Sequence, residues 1–391
     1  MILHGILALF ASLSLALTLW QWGAARRFPL HQRIEPTHGP SAGGEQGGFA
    51  PALTLLKPLK GCDEHTETCL RSWLAQEYAG EIQILFAVGG ADDPACAVVK
   101  RLLAQFPELD AQLVVCGERL GTNAKVSKLA QLEPRVKHEI IILSDADVQV
   151  PPDLLANVVA PLRAETIGLV SCFYRLANPT TLAMGWEAIA INADFWSQVL
   201  QSASFRKLDF ALGAVMATRR KQLTEIGGFQ ALADCLADDY QLGHRIAGRG
   251  YRIELCPIVV ECWSQPMNWR ESWRHQLRWA RTIRVCQPVP YFFSILSNAT
   301  LWPLLWLAAN PTKLTLVCAV ACVLTRMLVA GWLSKRLTRE TGRTHDLGLV
   351  LLKDIVQSTI WAASFVGNVV EWRGEQYRVK PDGTLRLGRK A

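Results

Sequence analysis

An α/β domain on an open, mostly parallel sheet, held between membrane segments at its N- and C-terminal ends, is the fold class that three observations predict. Strand-like apolar runs alternate with helical patterns from Pro51 onward, uncharged apolar stretches collect at both ends of the chain, and two acidic clusters each follow a strand-like run. A βαβα rhythm of this kind builds a parallel sheet whose ligands sit at the carboxyl ends of the strands.

Ile2 to Trp22 contains no Asp, Glu, Lys or Arg, and Arg26 and Arg27 follow. That is long enough to cross the roughly 30 Å hydrocarbon core of a bilayer. The basic flank lies after the apolar run and no small-residue cleavage pattern is clear, which favours a retained anchor over residues 1–25 rather than a cleaved signal. By the positive-inside rule Arg26 and Arg27 put the next domain in the cytoplasm. Residues 26–50 are the linker, rich in Gly and Pro from 34 onward and without periodicity. The folded domain is expected over 51–285. Its strand-like runs are Leu53–Leu56, Ile82–Val88, Gln112–Cys116 and Glu139–Leu143, with helices over 66–76, 94–105 and 124–131. The turn after the first strand, Lys57-Pro-Leu-Lys-Gly-Cys-Asp63, lacks the Gly-x-Gly-x-x-Gly of a dinucleotide site, which argues against a nicotinamide enzyme.

Residues 286–372 form the expected C-terminal membrane region. Tyr291 to Asn310 and Leu314 to Leu333, joined by Pro311-Thr-Lys313, read as a membrane hairpin. Arg326 lies inside its second half, where a charge costs on the order of 2.5–3.5 kcal/mol, so it is expected to face protein, water or a headgroup. Leu347 to Trp372 contains Lys353 and Asp354 and has basic flanks on both sides, so a re-entrant or interfacial segment is expected, then a basic cytoplasmic tail over 373–391. The 11 scattered cysteines form no Cys-x-x-Cys pair, which excludes a disulfide framework or zinc site. The formal charge of +7 is mostly Arg near membrane segments, suiting anionic headgroups better than nucleic acid, and nothing points to an obligate protein partner.

The chemistry concentrates in three places. Ile140-Ile-Ile-Leu-Ser-Asp145-Ala-Asp147 is an apolar strand that delivers two carboxylates one residue apart. Mg²⁺ and Mn²⁺ take one or two protein carboxylates and leave their other positions to water and phosphates, so Asp145 and Asp147 suit such an ion beside a diphosphate. Asp238-Asp239 opens a helical pattern, where one acid could serve simply as a helix-start carboxylate. Arg270, Arg274, Arg278 and Arg281 recur every three or four residues on one helical face, interleaved with Trp269, Trp273 and Trp279, as a solvated basic face or a membrane-interface helix.

In order, these motifs resemble the ceramide glucosyltransferase family and its bacterial relatives over about residues 52–380. Leu55-Leu-Lys57-Pro-Leu-Lys-Gly61 is similar to the family's first strand and donor-binding turn. Asp92-Asp93-Pro-Ala matches its first Asp motif, Gly121-Thr-Asn123-Ala-Lys125 its Gly-x-Asn-x-Lys segment, Asp145 its second Asp motif and Asp238-Asp239 its third. His275-Gln-Leu-Arg278-Trp279 closes the pattern as the Gln/Arg-x-x-Arg-Trp motif, and Trp372-Arg-Gly-Glu-Gln-Tyr-Arg is similar to the family's ending. His275 in place of Gln or Arg, and Asp147 in place of a small residue, look more like the branch associated with bacterial hopanoid synthesis.

The resemblance implies a GT-A (nucleotide-diphospho-sugar transferase) fold and an inverting transfer of a hexose, glucose or N-acetylglucosamine, from a UDP-sugar to a lipid hydroxyl of a ceramide or hopanoid polyol. It implies Asp239 as general base, with Asp238 holding the site or contacting the donor, and Mg²⁺ or Mn²⁺ on Asp145 and Asp147. Lys57, Asp93, Asn123, Lys125 and His275 would bind the donor, Asp93 at uridine or ribose; Lys125 and Arg278 could reach phosphate. Trp279 would pack under the sugar or acceptor, or be a core residue. The expected setting is an integral membrane protein of the bacterial inner membrane with its catalytic domain cytoplasmic. Two rivals are a processive polysaccharide synthase, for which the terminal apolar stretches are too few, and a non-catalytic membrane or binding protein.

Overall fold

A computed structural model describes residues 2–34, 49–340, 347–372, 375–380 and 382–387. Most of the expected linker (35–48), residues 341–346, and the remainder of the basic tail lie outside the described residues. The chain divides into two compact units, one of Met1–Pro29, Asn178–Arg206 and Pro266–Ala391, the other of Leu30–Ala177 and Lys207–Gln265.

The second unit is the α/β domain. Its strands are β1 (Leu53–Pro58), β2 (Ile82–Val88), β3 (Asp110–Val115), β4 (Ile140–Ser144), β5 (Val148–Gln149), β6 (Ile167–Leu176), β7 (Val215–Arg219) and β8 (Arg252–Cys262), in the sheet order β3-β2-β1-β4-β7-β6-β8-β5. The first four are mutually parallel, with Leu55 opposite Ile84 and Ile142. The helices Thr66–Leu74, Ala95–Leu103 and Ala124–Leu132 fall between them, within two residues of the expected bounds. Strands sandwiched between helices must be apolar on both faces. Accordingly Leu53 and Leu55, Ile84 and Phe86, and Ile140 and Ile142 enter one core, while Leu56, Leu85, Ile141 and Leu143 enter the other. Beyond β4 the sheet turns mixed: β7 runs antiparallel to both β4 and β6, while β6 and β8 are parallel.

The first unit collects the apolar helices. Ile2–Arg27 and Lys313–Thr338, each of 26 residues, are long and apolar enough to cross a membrane. Across the expected first half of the hairpin, Tyr291 to Asn310, lie Pro288–Ser297 and Leu301–Ala309, bent by 56° at the break between them. Asn298 accounts for the bend, because its Oδ1 accepts the backbone N–H groups of Thr300 and Leu301 while its Nδ2 donates to the Asp354 carbonyl and Ser358 Oγ. A side chain that caps a new helix start breaks the ladder of the old one.

Helices Leu182–Ile189 and Trp196–Ala203, with a π-helical turn Ala190–Phe195 between them, group with the apolar helices and not with the sheet, although they fall inside the 51–285 domain the sequence suggests. Trp186 explains this, packing with Ala280, Tyr291 and Ile360. Arg326 faces protein, one of the settings expected for it. Its guanidinium donates to both Asp354 oxygens at 2.9 and 2.8 Å and to Asp194 Oδ2 at 2.9 Å. Lys353 also pairs with Asp194, and Thr300 Oγ1 donates to Asp354 at 2.6 Å.

Leu347–Ser364 is helical, but the apolar stretch then ends in a strand, β9 (Val369–Trp372), which with β10 (Glu375–Val379) and β11 (Leu385–Leu387) makes a small antiparallel sheet. The expected basic tail is thus partly β-structure. Tyr377, Val379 and Leu385 are its buried positions, and Gly383, at φ +80°, makes the turn that only glycine adopts without strain.

Candidate active site

At the carboxyl end of β4 the Asp145-x-Asp147 turn is pinned by backbone on both sides. Asp145 N–H donates to the Ala214 carbonyl at 3.3 Å, and the Asp147 carbonyl accepts from Trp263 N–H at 2.9 Å. Lys57 supplies a third tie: its ammonium lies over the Trp73 ring, 4.9 Å from the centroid, and donates to Ser144 Oγ and to the Asp145 carbonyl. It is fully buried, which lowers its pKa to about 8. Lys57 therefore shapes the metal-motif turn from beneath and has no exposed surface to offer a donor. Asp93 is likewise engaged, accepting Gly61 N–H at 3.1 Å and Ala95 N–H at 2.9 Å, which ties the turn after β1 to the start of Ala95–Leu103. Gly61 holds φ +73° there.

Asn123 caps the helix Ala124–Leu132, its Oδ1 accepting the N–H groups of Lys125 and Val126. Its Nδ2 donates to the Cys235 carbonyl at 2.8 Å and reaches Asp238 Oδ1 at 3.5 Å. The cap aims Lys125, whose ammonium bridges Asp145 Oδ1 at 2.8 Å and Asp238 Oδ2 at 2.9 Å. Burial disfavours that charge, but the two carboxylates outweigh it and hold Lys125 above an ordinary lysine.

Asp238 and Asp239 open the helix Asp238–Gly248, where carboxylates are favoured by the dipole. Asp239 is half-buried, and Oδ1 accepts its neighbour Tyr240 N–H at 2.7 Å. Burial first, then the adjacent Asp238, pushes its pKa up to about 6, against the pull of Lys125. Gly213 lies alongside; a Cβ there would come within 2.7 Å of Asp239 Oδ2. So Asp145, Asp238, Asp239 and Lys125 form one cluster at the sheet edge, the acids in excess.

The last motif lies in the first unit, on Trp269–Cys286, a helix capped by Asn268 with Glu271. His275 Nδ1 is 2.5 Å from Glu187 Oε1, which also accepts from Gln276 at 2.8 Å. Trp279 packs at 4.9 Å from the His275 ring and 6.2 Å from Phe195. His275 is thus held by a buried glutamate. Glu187, which the sequence reading overlooked, does carry a signal: it is the one charge in Leu182–Ile189. In the arginine stripe Arg270 and Arg274 are exposed, as a solvated face requires, and two of its members also make specific contacts. Arg274 pairs with Glu371 at 3.1 Å, Arg281 donates to the Val366 and Val369 carbonyls, and Arg284 to Asn368. These cations hold the C-terminal segment.

Fold and site together define a GT-A α/β domain with an acidic cluster at the carboxyl end of its central parallel strands. Residues 6–385 match the sequence profile of Glycosyl transferase family 21, and the chain belongs to that family. It is 25% identical over 205 residues to Ceramide glucosyltransferase 3 of Caenorhabditis elegans, covering 52% of this chain and 44% of that one. To Beta-monoglucosyldiacylglycerol synthase of Trichormus variabilis it is 24% identical over 245 residues, 60% of this chain and 50% of that one. The chain therefore spans about half the length of these curated relatives. Among solved structures, a mannosyltransferase from Pyrobaculum calidifontis in complex with GDP-Man and Mn²⁺ aligns with a TM-score of 0.49 and 21% identity, covering 90% of this chain and 99% of that one.

Proposed function

We infer that this chain transfers a hexose from a UDP-sugar to the hydroxyl of a membrane lipid, a ceramide or hopanoid polyol, with inversion at the anomeric carbon. The observation that carries the reading is Asp239: a half-buried carboxylate with its pKa raised to about 6, across Lys125 from a strand-end Asp-x-Asp. A general base works best with its pKa near the working pH. In the step, the lipid hydroxyl oxygen bonds to the anomeric carbon, the carbon–phosphate oxygen bond breaks with UDP leaving, and Asp239 takes the hydroxyl proton.

The donor chemistry of the turn fits a divalent ion. Lys125 engages Asp145 Oδ1, so Oδ2 and the Asp147 carboxylate are the oxygens such an ion would use. Among the described residues no three His, Cys, Asp or Glu are grouped to hold a metal alone, and Mg²⁺ or Mn²⁺ completes its shell with water and phosphate. A bound ion would supply charge neutralisation to the leaving diphosphate. Lys125 adds a cation at the same place, Asp238 steadies Lys125, and Asn123 fixes the start of its helix. Arg278 keeps the phosphate role that the resemblance implies, and Trp279 the sugar or acceptor role. The two terminal-region helices support a membrane setting, and Arg26 and Arg27 after the first of them favour a cytoplasmic sheet domain by the positive-inside rule.

The test is transfer by membranes carrying the chain, with UDP-glucose and UDP-N-acetylglucosamine offered against both lipids; no product from any combination overturns the reading. Asp239→Asn is expected to cut turnover roughly 10²–10⁴-fold with UDP binding kept. Lost UDP binding would instead make Asp239 a donor contact.

A further inference from the structure

In the first unit, Trp186, Trp269, Arg270, Trp273 and Val356 line a cleft of about 410 Å³. That is within the roughly 300–1,000 Å³ typical of small-ligand sites. Its walls are three indoles and a valine, with Arg270 the one charge among the lining residues. Trp186 is 1% exposed, with Trp273 and Val356 packed against it, and the Trp269 ring stands 6.1 Å away at 51°. Among the described residues the buried Trp186 indole N–H has no hydrogen-bond partner, nor does Oε2 of the next residue, Glu187.

We propose that this cleft holds the apolar body of the acceptor lipid, with the lipid's polar end meeting the exposed Arg270 guanidinium at its mouth. The proposal rests on the transferase reading and names where its acceptor binds. A sugar or nucleotide is a poor occupant, since indole and aliphatic walls leave its hydroxyls and phosphates unmet. A lipid has the matching division: an apolar body for the tryptophans and a polar end for the arginine. The helix extends the argument. Trp269, Arg270 and Trp273 precede Arg278 and Trp279 on Trp269–Cys286, and five residues from Trp273 to Arg278 rise about 7.5 Å. Arg270 and Arg278 lie about two turns apart on one face of this helix, so a polar end held at Arg270 is on the side that carries the Arg-Trp motif.

The test uses full-length protein in phosphatidylcholine vesicles with three diazirine-tailed probes: ceramide, a hopanoid polyol and phosphatidylcholine itself. One of the first two is expected to label the 269–273 or Val356 peptides and to be displaced by its unlabelled parent. Trp269→Ala with Trp273→Ala should abolish that labelling and raise the acceptor KM at least tenfold at unchanged UDP-sugar KM, while Trp273→Phe retains most of both. Equal labelling by phosphatidylcholine without displacement would mark ordinary boundary lipid and overturn the proposal, as would an unchanged acceptor KM in the double variant. Displaceable labelling without any transfer would sink the transferase reading and leave the lipid cleft standing; transfer without cleft labelling would do the reverse.

Discussion

Around Asp194, Arg326, Lys353 and Asp354 two acids meet two bases, all at most 6% exposed, and the salt bridges close on one another. Around Lys125 the arrangement is opposite: Asp145, Asp238 and Asp239 surround one bridging cation, and Asp145 and Asp239 remain partly open to solvent. The first group is neutral and saturated, which is how charges survive in an apolar setting. The second carries unspent negative charge and shifts the pKa of Asp239, which is how a ligand site is poised. Net charge and closure are therefore the two properties by which these clusters differ.

The sharpest way to break the contrast is Arg326→Leu. It strands Asp354 and half of Asp194, and a buried pair that loses one partner costs about 3–5 kcal/mol. A large drop in Tm of the detergent-solubilised protein is expected, partly restored by adding Asp354→Leu. An unchanged Tm would mean the cluster is hydrated and not closed.

Lys125→Met should act on binding instead. UDP affinity, measured by calorimetry, is expected to fall about tenfold, as for a lost charge-assisted hydrogen bond. Asp239 offers a second readout. Its folded pKa of about 6 lies above the ordinary carboxylate value, so wild-type transfer should fall as pH drops through about 6 and the base protonates. The same shift means the folded state holds that proton more tightly. The carboxyl therefore favours folding below its ordinary value near 4, and that contribution is lost as pH rises through 6. Without the Lys125 cation the acid limb of the pH–rate profile should move to higher pH; a limb that stays put would disconnect Lys125 from Asp239.

The smallest effect is expected at Asn123. Removing its cap in Asn123→Ala costs about 0.5–2 kcal/mol, read as a modest Tm loss together with a raised UDP-sugar KM from a less constrained Lys125.

Legibility in the sequence followed the range of the forces involved. β1 to β4 and their helices were readable because each strand is a mostly apolar run and each helix a local pattern. Asn123, Lys125, Asp145 and Asp238-Asp239 were readable as motifs, and the structure brings them together. β6 to β8 depend on pairing across long sequence separations that no local pattern announces. Lys57 was taken for a donor ligand because its segment resembles the family's donor-binding turn; its position at the end of a fully buried strand decides otherwise. The helix bend at Asn298 and the C-terminal sheet were missed because composition marked both stretches only as apolar or basic, while one capping amide and a period-two pattern determined their shape.

The ion cluster also imposes an order on biogenesis. Asp354 is 28 residues downstream of Arg326, so when the Lys313–Thr338 helix is synthesised Asp194 is the one carboxylate partner already made. A ribosome stalled in that interval leaves Arg326 with one of its two counter-ions, and an incompletely paired charge in an apolar setting opposes insertion. Such nascent chains should dwell at the insertion machinery until the last helix emerges, which makes the final stretch of translation the checkpoint for closing the cluster.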